Sequence, residues 1–338
     1  MRQRSTGAAP PGYDAFSGTD DRLASGVASG EHPTPATGGE PIVGAIRSKL
    51  ASVAVAPGLY LVATPIGNLA DITLRALAVL ARADVIACED TRVTGKLKAS
   101  FGLSAHLVPY HDHNAARAGP ALIRRLEQGP IVALVSDAGT PLISDPGYRL
   151  VGAAIEAAIP VIAVPGPSAV LAALTASGLP TDRFLFAGFL PPRQAARCTA
   201  LRDLAAIPAT LVLFESPRRL AAALADMAAA LGARQAAVAR ELTKRHEEVR
   251  RGRLDALAEA FREAGAPKGE VVIVIGPPED ATAATGEELD RALRAALESS
   301  GVRDAAAAVA AATGLPRRDI YRRALALRPA GGGNDGER

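Results

Sequence analysis

The chain has 338 residues, of which 49% are hydrophobic and 22% charged, so it can bury a large core and form two domains. Its formal net charge of +3 is too small to identify a polyanion partner by itself. The two cysteines, Cys88 and Cys198, lie far apart, no signal-like segment begins the chain, and no apolar run approaches the ~18 residues of a membrane span. We therefore expect a cytoplasmic protein with no membrane insertion.

The first 56 residues are rich in Gly, Ser, Thr, Pro and Ala and show no sustained periodicity. Such a segment cannot bury enough apolar surface to offset the entropy lost on ordering. We predict a disordered tail over residues 1–56, in which a short helix around Val43–Ala51 is the one element to consider.

From Pro57 onward, short apolar strands alternate with helical patterns. Nearly all of these strands are apolar on both faces, which predicts a parallel sheet covered by helices on both sides, over residues 57–168. The strands are predicted at Leu59–Thr64, Asp84–Cys88, His106–Tyr110, Ile131–Ser136 and Pro160–Val164.

A second α/β domain is predicted over residues 169–277, with a mixed sheet because the spacing after Leu242 is typical of a hairpin. A linker over 278–286 separates it from three helical patterns whose spacing predicts a helix-turn-helix appendage at 287–328, followed by a disordered end at 329–338. The strands are predicted at Phe184–Gly188, Thr210–Glu215, Ala236–Leu242, Glu247–Arg251 and Glu270–Ile275, and the terminal helices at Glu287–Ser299, Arg303–Thr313 and Pro316–Leu327.

Candidate site segments follow the first two strands of the first domain. Pro65 lies in an open loop after the first strand, and Glu89-Asp90-Thr91-Arg92 follows the second. Open α/β sheets bind ligands at the edge where their strands end, so both segments are candidates. An ordinary strand-to-helix turn accounts equally well for the loop, and a solvated helix start for the acidic segment.

The fourth strand is followed by the loop Ser136–Gly147, which is dense in small, turn-forming and acidic residues. Loops of this kind after a buried strand are usually functional. After the fifth strand, Pro165-Gly166-Pro167-Ser168 permits a close backbone approach, although a simple helix cap at Ser168 would also explain it.

The sequence does not favour a dinucleotide-binding site, a nucleoside-triphosphate site or a metal site. No Gly-x-Gly-x-x-Gly follows a strand, and no Gly-x-x-x-x-Gly-Lys-Ser/Thr loop is present. His111-Asp112-His113-Asn114 suggests metal ligation, but alternate strand residues point in opposite directions and no matching cluster stands elsewhere. We expect no metal site.

Basic residues cluster around Lys244-Arg245 and on the last helical pattern. Charge runs are more often solvated faces than binding sites, but so many arginines on one short helix make nucleic-acid contact an equally good interpretation. The arginines that we expect to contact nucleic acid are Arg245, Arg317, Arg318, Arg322 and Arg323.

Taken together, these motifs closely resemble the family of ribosomal RNA small-subunit methyltransferase I, over about residues 57–328. The resemblance implies an α/β, two-domain, tetrapyrrole-methylase-like fold of the class III S-adenosylmethionine methyltransferases, with a small helix-turn-helix appendage. It is carried, in order, by Leu59–Leu69, Glu89–Arg92, Ser136–Gly147, Pro165–Ser168 and Arg240–Lys244, of which the Ser-Asp-Ala-Gly-Thr-Pro loop is the most specific.

The resemblance also implies a reaction, 2′-O-methylation of the ribose of cytidine 1402 in 16S rRNA. The methyl donor would be S-adenosylmethionine, held in the cleft between the domains, and the partners would be 16S rRNA or the small ribosomal subunit and a second copy of the chain. By motif position, the cofactor site would comprise Pro65, Asp137, Ala138, Gly139, Thr140, Pro141, Pro165, Ser168, Glu215 and Ser216.

Such a reaction needs alignment of a ribose hydroxyl and removal of its proton. Glu89, Asp90, Arg92 and Lys244 are our candidate catalytic residues, and a lysine desolvated between two domains could act as the base. Phosphate binding by Lys244 is an equally good interpretation.

Two rival functions stay open at this point. One is a tetrapyrrole methyltransferase of the same fold, since a basic cleft would also suit an acidic macrocycle. The other is a non-enzymatic RNA-binding or assembly protein, against which the intact Ser136–Gly147 loop argues.

Overall fold

The structure is a computed structural model that describes residues 39–278, 286–313 and 317–327. The first element is helix α1, Gly39–Ser52. This helix includes the one considered around Val43–Ala51, and it begins four residues earlier and ends one residue later. The predicted disorder therefore does not hold for Gly39–Ser52, where Ile42, Val43 and Ile46 recur at helical spacing. The remainder of the predicted tail, residues 1–38, lies outside the described residues.

The first sheet has five parallel strands, as the sequence predicts. With the strands numbered along the chain, their order across the sheet is β3-β2-β4-β1-β5. Helices α2 and α3 pack on one face through residues such as Val79, and α4 and α5 on the other through residues such as Leu150. The elements are β1 Gly58–Val62, α2 Leu74–Arg82, β2 Val85–Cys88, α3 Thr91–Phe101, β3 His106–Pro109, α4 Ala115–Leu126, β4 Ile131–Val135, α5 Tyr148–Glu156 and β5 Val161–Val164.

The second sheet is mixed, in the order β6-β7-β10-β8-β9, with β6 and β7 parallel and the other neighbours antiparallel. Helices α7, α8 and α9 cover one face. Its elements are α6 Ala169–Ser177, β6 Phe184–Phe189, α7 Gln194–Ala205, β7 Thr210–Glu215, α8 Leu220–Leu231, β8 Gln235–Arg240, β9 Glu248–Arg253, α9 Leu254–Ala264 and β10 Val271–Ile275.

The other face of the second sheet joins the two domains. Helix α6 packs on it through Val170 and Leu174, and Ile66 from the loop after β1 packs into the same cluster. Strand β8 ends at Arg240, two residues earlier than predicted, because Glu241 and Thr243 take positive φ values of 51° and 65° that an extended strand does not allow.

Three further helices follow, α10 Gly286–Ser299, α11 Val302–Thr313 and α12 Arg317–Ala326. Leu293, Ala306 and Ile320 form a small core of their own, one contributed by each helix. Most of the predicted linker, the connection between α11 and α12, and the predicted C-terminal tail lie outside the described residues. Within the described ranges, no helix is both long and apolar enough to cross a membrane.

Candidate functional site

A cavity of about 400 Å³ opens between the carboxyl edge of the first sheet and the second sheet. Its walls come from the loop after β4, the start of α6, the ends of β6 and β7 and the start of β10. This volume lies within the range of ~300–1,000 Å³ that small-molecule sites occupy. Seven of the ten residues predicted for the cofactor line the cavity: Asp137, Ala138, Gly139, Thr140, Ser168, Glu215 and Ser216.

The three predicted prolines do not line this cavity. Pro65 is buried beside Ile66, which does line it, and Pro141 is buried beside Thr140. Pro165 is exposed. A proline restricts its own backbone and that of the residue before it, so these three residues limit the conformations that their loops can take.

Backbone hydrogen bonds tie the predicted loops to one another. Thr64 and Gly139 form an isolated antiparallel bridge, in which the Thr64 amide donates to the Gly139 carbonyl at 2.9 Å and the Gly139 amide donates back at 3.0 Å. The Thr140 hydroxyl donates to the Pro167 carbonyl at 3.1 Å. The loops after β1, β4 and β5 therefore form one connected wall.

The loop after β4 also holds strained backbone. Leu142 and Ser144 have φ values of 73° and 64°, which residues other than glycine rarely adopt. Gly147 has a φ of 141°, and a Cβ there would lie 2.8 Å from Leu134 Cδ2. Only glycine fits at this position, where the loop turns into α5.

Carboxylates from the ends of β2 and β4 gather beside the cavity. Burial and the neighbouring Glu89 and Asp137 raise the pKa of Asp145 to about 6, and the interaction with Ser136 lowers it only in part. Burial, followed by the charge of Asp137, also raises the pKa of Glu89. These two carboxyl groups are thus better proton acceptors than exposed ones.

Asp90 and Arg92 behave differently from that pair. The Asp90 carboxylate caps α3 by accepting from the Arg92 amide at 2.8 Å, and it forms a salt bridge of 2.6 Å with the Arg92 guanidinium. These hydrogen bonds lower the pKa of Asp90 to about 2. The Arg92 side chain is 88% exposed, so the geometry of this pair fits a solvated helix start. The backbone amide of Asp90 also donates a hydrogen bond to Asp137 Oδ1 at 3.0 Å.

Lys244 lies at the junction of the domains. Its Nζ is 2.9 Å from both Glu241 Oε1 and Glu270 Oε2, and its stem packs so closely on Gly67 that a methyl group there would collide with it. Burial lowers the pKa of Lys244, but the hydrogen bonds to the two glutamates outweigh burial and the pKa is raised. This direction is opposite to the one that a lysine base requires.

Glu215 provides a buried acceptor at the end of β7. Its Oε1 accepts from the Ser216 amide at 2.6 Å and pairs with Arg219 at 2.6 Å. Its Oε2 is buried and has no hydrogen-bond partner among the described residues. A buried unpaired carboxylate oxygen is costly, so this atom is suited to a donor from a ligand.

Sequence reasoning missed several residues that line the cavity, most notably Asp145, Phe189 and Phe214. A signal for Asp145 was present, because Ser144-Asp145-Pro146-Gly147 repeats the Ser-Asp-x-Gly pattern that begins at Ser136. Phe189 and Phe214 had no comparable signal, since each reads as an ordinary apolar residue at the end of a strand.

The predicted RNA-contacting arginines are all exposed. Arg322 lies 3.6 Å from Asp319, and Arg323 pairs with Asp290 at 2.6 Å. Arg245, Arg317 and Arg318 form no ion pair with any residue that the structure describes. Across the same described ranges, no group of three potential metal ligands occurs.

Comparison with known proteins gives two family matches. Residues 58–258 match the tetrapyrrole (corrin/porphyrin) methylases, and residues 283–328 match the RsmI C-terminal HTH domain. A protein of Mesorhizobium japonicum named ribosomal RNA small subunit methyltransferase I is 56% identical over 281 residues, which covers 83% of this chain and 95% of the relative. The protein of the same name from Erythrobacter litoralis is 52% identical, covering 81% and 96%.

Among solved structures, the methyltransferase CobJ is similar with a TM-score of 0.51 and 19% identity. The match covers 65% of this chain and 94% of CobJ. At this identity the likeness concerns the fold alone.

Proposed function

We propose a function on the basis of family membership: the chain belongs to the ribosomal RNA small subunit methyltransferase I family, within the tetrapyrrole methylases. It transfers a methyl group from S-adenosylmethionine to the 2′-hydroxyl of cytidine 1402 in 16S rRNA. The observation that carries the proposal is the cavity between the two sheets, walled by the Asp137–Thr140 segment and Glu215.

The residues around the cavity fit S-adenosylmethionine. The buried, unpartnered Glu215 Oε2 would accept a hydrogen bond from a donor of the ligand, while Val271 and Val272 provide an apolar wall. When bound, the sulfonium supplies an electrophilic methyl group. The task that falls to the chain's own residues is to position the ribose hydroxyl and accept its proton.

Glu89 and Asp145 are the residues that we assign to proton transfer. Asp145 lines the cavity, and the pKa of about 6 that burial gives it suits a base near neutral pH. The salt-bridged Asp90 is a poor acceptor, and Lys244 is held protonated by two glutamates. We assign Lys244 instead to fixing the loop at Gly67 against the second domain.

The terminal helices favour RNA over a tetrapyrrole as the substrate. Their match to the HTH domain of this family and the exposed guanidinium groups of Arg317 and Arg318 fit phosphate contact. We extend the proposal to a homodimer in the cytoplasm. Tyr148 and Ile155, seven residues apart on α5, are 82% and 63% exposed, and a second copy of the chain would cover them.

Methyl transfer from labelled S-adenosylmethionine to small subunits that lack the modification tests the proposal. Label should appear on the ribose of cytidine 1402, as resistance of the next phosphodiester to alkaline cleavage. Subunits already modified at that nucleotide are the matched control and should take up no label. Label on a base or another nucleotide would contradict the assigned target, and label on a tetrapyrrole but not on RNA would establish the rival function.

Glu215→Gln tests the cofactor site separately. It removes the charge and one lone-pair site but keeps the shape, so we expect affinity for S-adenosylhomocysteine to fall about tenfold or more by calorimetry. Asp226→Asn is the control, because it breaks the buried Arg197–Asp226 pair of the same domain, away from the cavity. It should lower the melting temperature and leave this affinity unchanged, and equal affinities in all three proteins would refute the role of Glu215.

A further inference from the structure

Phe189 stands out among the residues that line the cavity. It is 57% exposed, in a chain of which only 4% is aromatic and which has no Trp. A large apolar side chain left in water beside a cavity of ligand-binding size is a candidate contact for a ligand or partner.

A β-bulge directs Phe189 to its position. In the pairing of β6 with β7, Phe186 lies opposite Val212, but Gly188 lies opposite Leu213 and Phe189 opposite Phe214. One extra residue in β6 therefore places Phe186 and Phe189 on the same face, although a regular strand would point them in opposite directions. Gly188 has a φ of 64°, as the bulge requires.

The bulge also gives Phe189 a firm support. Its ring lies 5.4 Å from that of Phe214, tilted by 60°, and Phe214 in turn meets Phe186 edge-on at 4.9 Å. Phe186 and Phe214 pack against the buried cluster between α6 and the second sheet. Phe189 is thus braced from behind and open to solvent, which is the arrangement of a stacking platform.

Cations that could contact phosphate lie nearby in the chain. Arg193 follows Phe189 by four residues, and Arg218 follows Pro217, which lines the same cavity. Both arginines are exposed, and within the described ranges neither forms an ion pair. Aromatic rings and guanidinium groups are the side chains with which proteins hold an unstacked RNA base and its backbone.

We propose that Phe189 is a platform on which an unpaired base of the RNA substrate stacks while its backbone lies at the mouth of the cavity. This rests on the proposed function, because it presumes an RNA substrate. The platform fixes a base at or next to the nucleotide being methylated, and so positions the ribose at the mouth of the cavity.

The absence of Trp makes the platform directly observable. Phe189→Trp places the sole Trp of the chain on the platform, and Phe184→Trp is the control, at the other end of β6 and 43% exposed but outside the cavity. Adding a short single-stranded pyrimidine RNA should quench the indole fluorescence of the Phe189→Trp protein through stacking and leave that of the Phe184→Trp protein unchanged. Quenching of the Phe189→Trp protein by S-adenosylhomocysteine alone, or equal quenching of both proteins by RNA, would overturn the platform.

Kinetics give a second, independent readout. Phe189→Leu keeps the apolar bulk but removes the ring, and we expect KM for unmodified small subunits to rise about tenfold, within the range measured for loss of base–aromatic stacking. Phe189→Tyr should restore the wild-type KM, and affinity for S-adenosylhomocysteine should be equal in all three proteins. An unchanged KM, or a matching loss of cofactor affinity, would refute the proposal.

Failure of the platform and failure of the proposed function give different results. If the wild-type protein methylates RNA and Phe189→Leu has an unchanged KM, only the platform is wrong. If the wild-type protein transfers no methyl group to RNA, the proposed function falls, whatever the fluorescence of the Phe189→Trp protein shows.

Discussion

The segments after β2 and β4 present aspartates at the same edge of one sheet, on neighbouring strands, and treat them in opposite ways. Asp90, after β2, has a side chain that is 26% exposed and is paired with Arg92, and its pKa falls to about 2. Asp145, after β4, lies in a half-buried loop beside other carboxylates, and its pKa rises to about 6. The same side chain is thus a permanent anion in one segment and a group that titrates near neutrality in the other.

The difference follows from how each segment is held. The segment after β2 enters a helix at once, so its carboxylate is stabilised by the amides of the first turn and by Arg92. The loop after β4 runs back against the first sheet before α5 begins, which withdraws Asp145 from water. Position at a sheet edge selects candidate residues, while burial and partners decide their chemistry.

The largest expected effect comes from breaking the loop after β4 with Gly147→Ala. The new Cβ meets Leu134 and Leu142 at a φ of 141°, so we expect a loss of about 2–4 kcal/mol in stability. Gly152→Ala, in the following helix with no atom within 4 Å of the new Cβ, is the control and should stabilise by about 0.5–1 kcal/mol. Thermal unfolding measures both, and similar melting temperatures for the two variants would mean that the loop tolerates a side chain.

Asp145→Asn should reverse the usual sign of a mutation at a buried polar site. A pKa raised from 3.8 to about 6 means that the protonated form stabilises the fold, a contribution that is complete below pH 3.8 and lost as the pH rises through 6. Asn removes the charge, so the variant should melt above the wild type at pH 8, with the gap closing towards pH 4. The variant should also lose methyl transfer, and a melting gap independent of pH would contradict the raised pKa.

Glu89→Gln sharpens the comparison by removing one of the charges that act on Asp145. Burial is the main cause of the raised pKa of Asp145, so we expect its pKa to move part of the way from about 6 towards 3.8, and no further. Titration of the labelled aspartate carboxyl by NMR measures this shift. An unchanged titration of Asp145 would show that the two carboxyl groups do not interact.

Asp90→Asn should have the smallest effect. Asn caps helices as well as Asp does, and an ion pair with the largely exposed Arg92 side chain contributes little. Because the pKa of Asp90 is lowered, its contribution is present above pH 3.8 and fades as the pH falls towards 2, which is the reverse of Asp145. A melting temperature that rises with the substitution at pH 7 would remove the contrast between the two segments.

Much of the architecture could be predicted from the chain itself. Runs such as Ile131–Val135 are apolar on both faces, which a parallel sheet covered on both sides requires, and the mixed second sheet followed from hairpin spacing. The composition of Ser136–Gly147 indicated a loop that lines the cavity, because strained turns need Gly, Pro and Asp. Helix α1 was underestimated, since its periodicity is short and lies within a polar tail.

The chemistry of individual groups depended on the tertiary structure. The sequence leaves Lys244 open as a base or a phosphate ligand. Glu241, three residues away, and Glu270, just before β10, both pair with it, and the approach of Glu270 is not visible in the sequence. In the sequence, Phe189 is an ordinary apolar residue at the end of a strand. The structure shows that a bulge in β6 places its ring against Phe214 and open to solvent. Sequence determines which residues stand at the edge of a sheet, because strand periodicity is local. Burial, charge neighbours and side-chain direction are decided only by segments that meet in the folded chain.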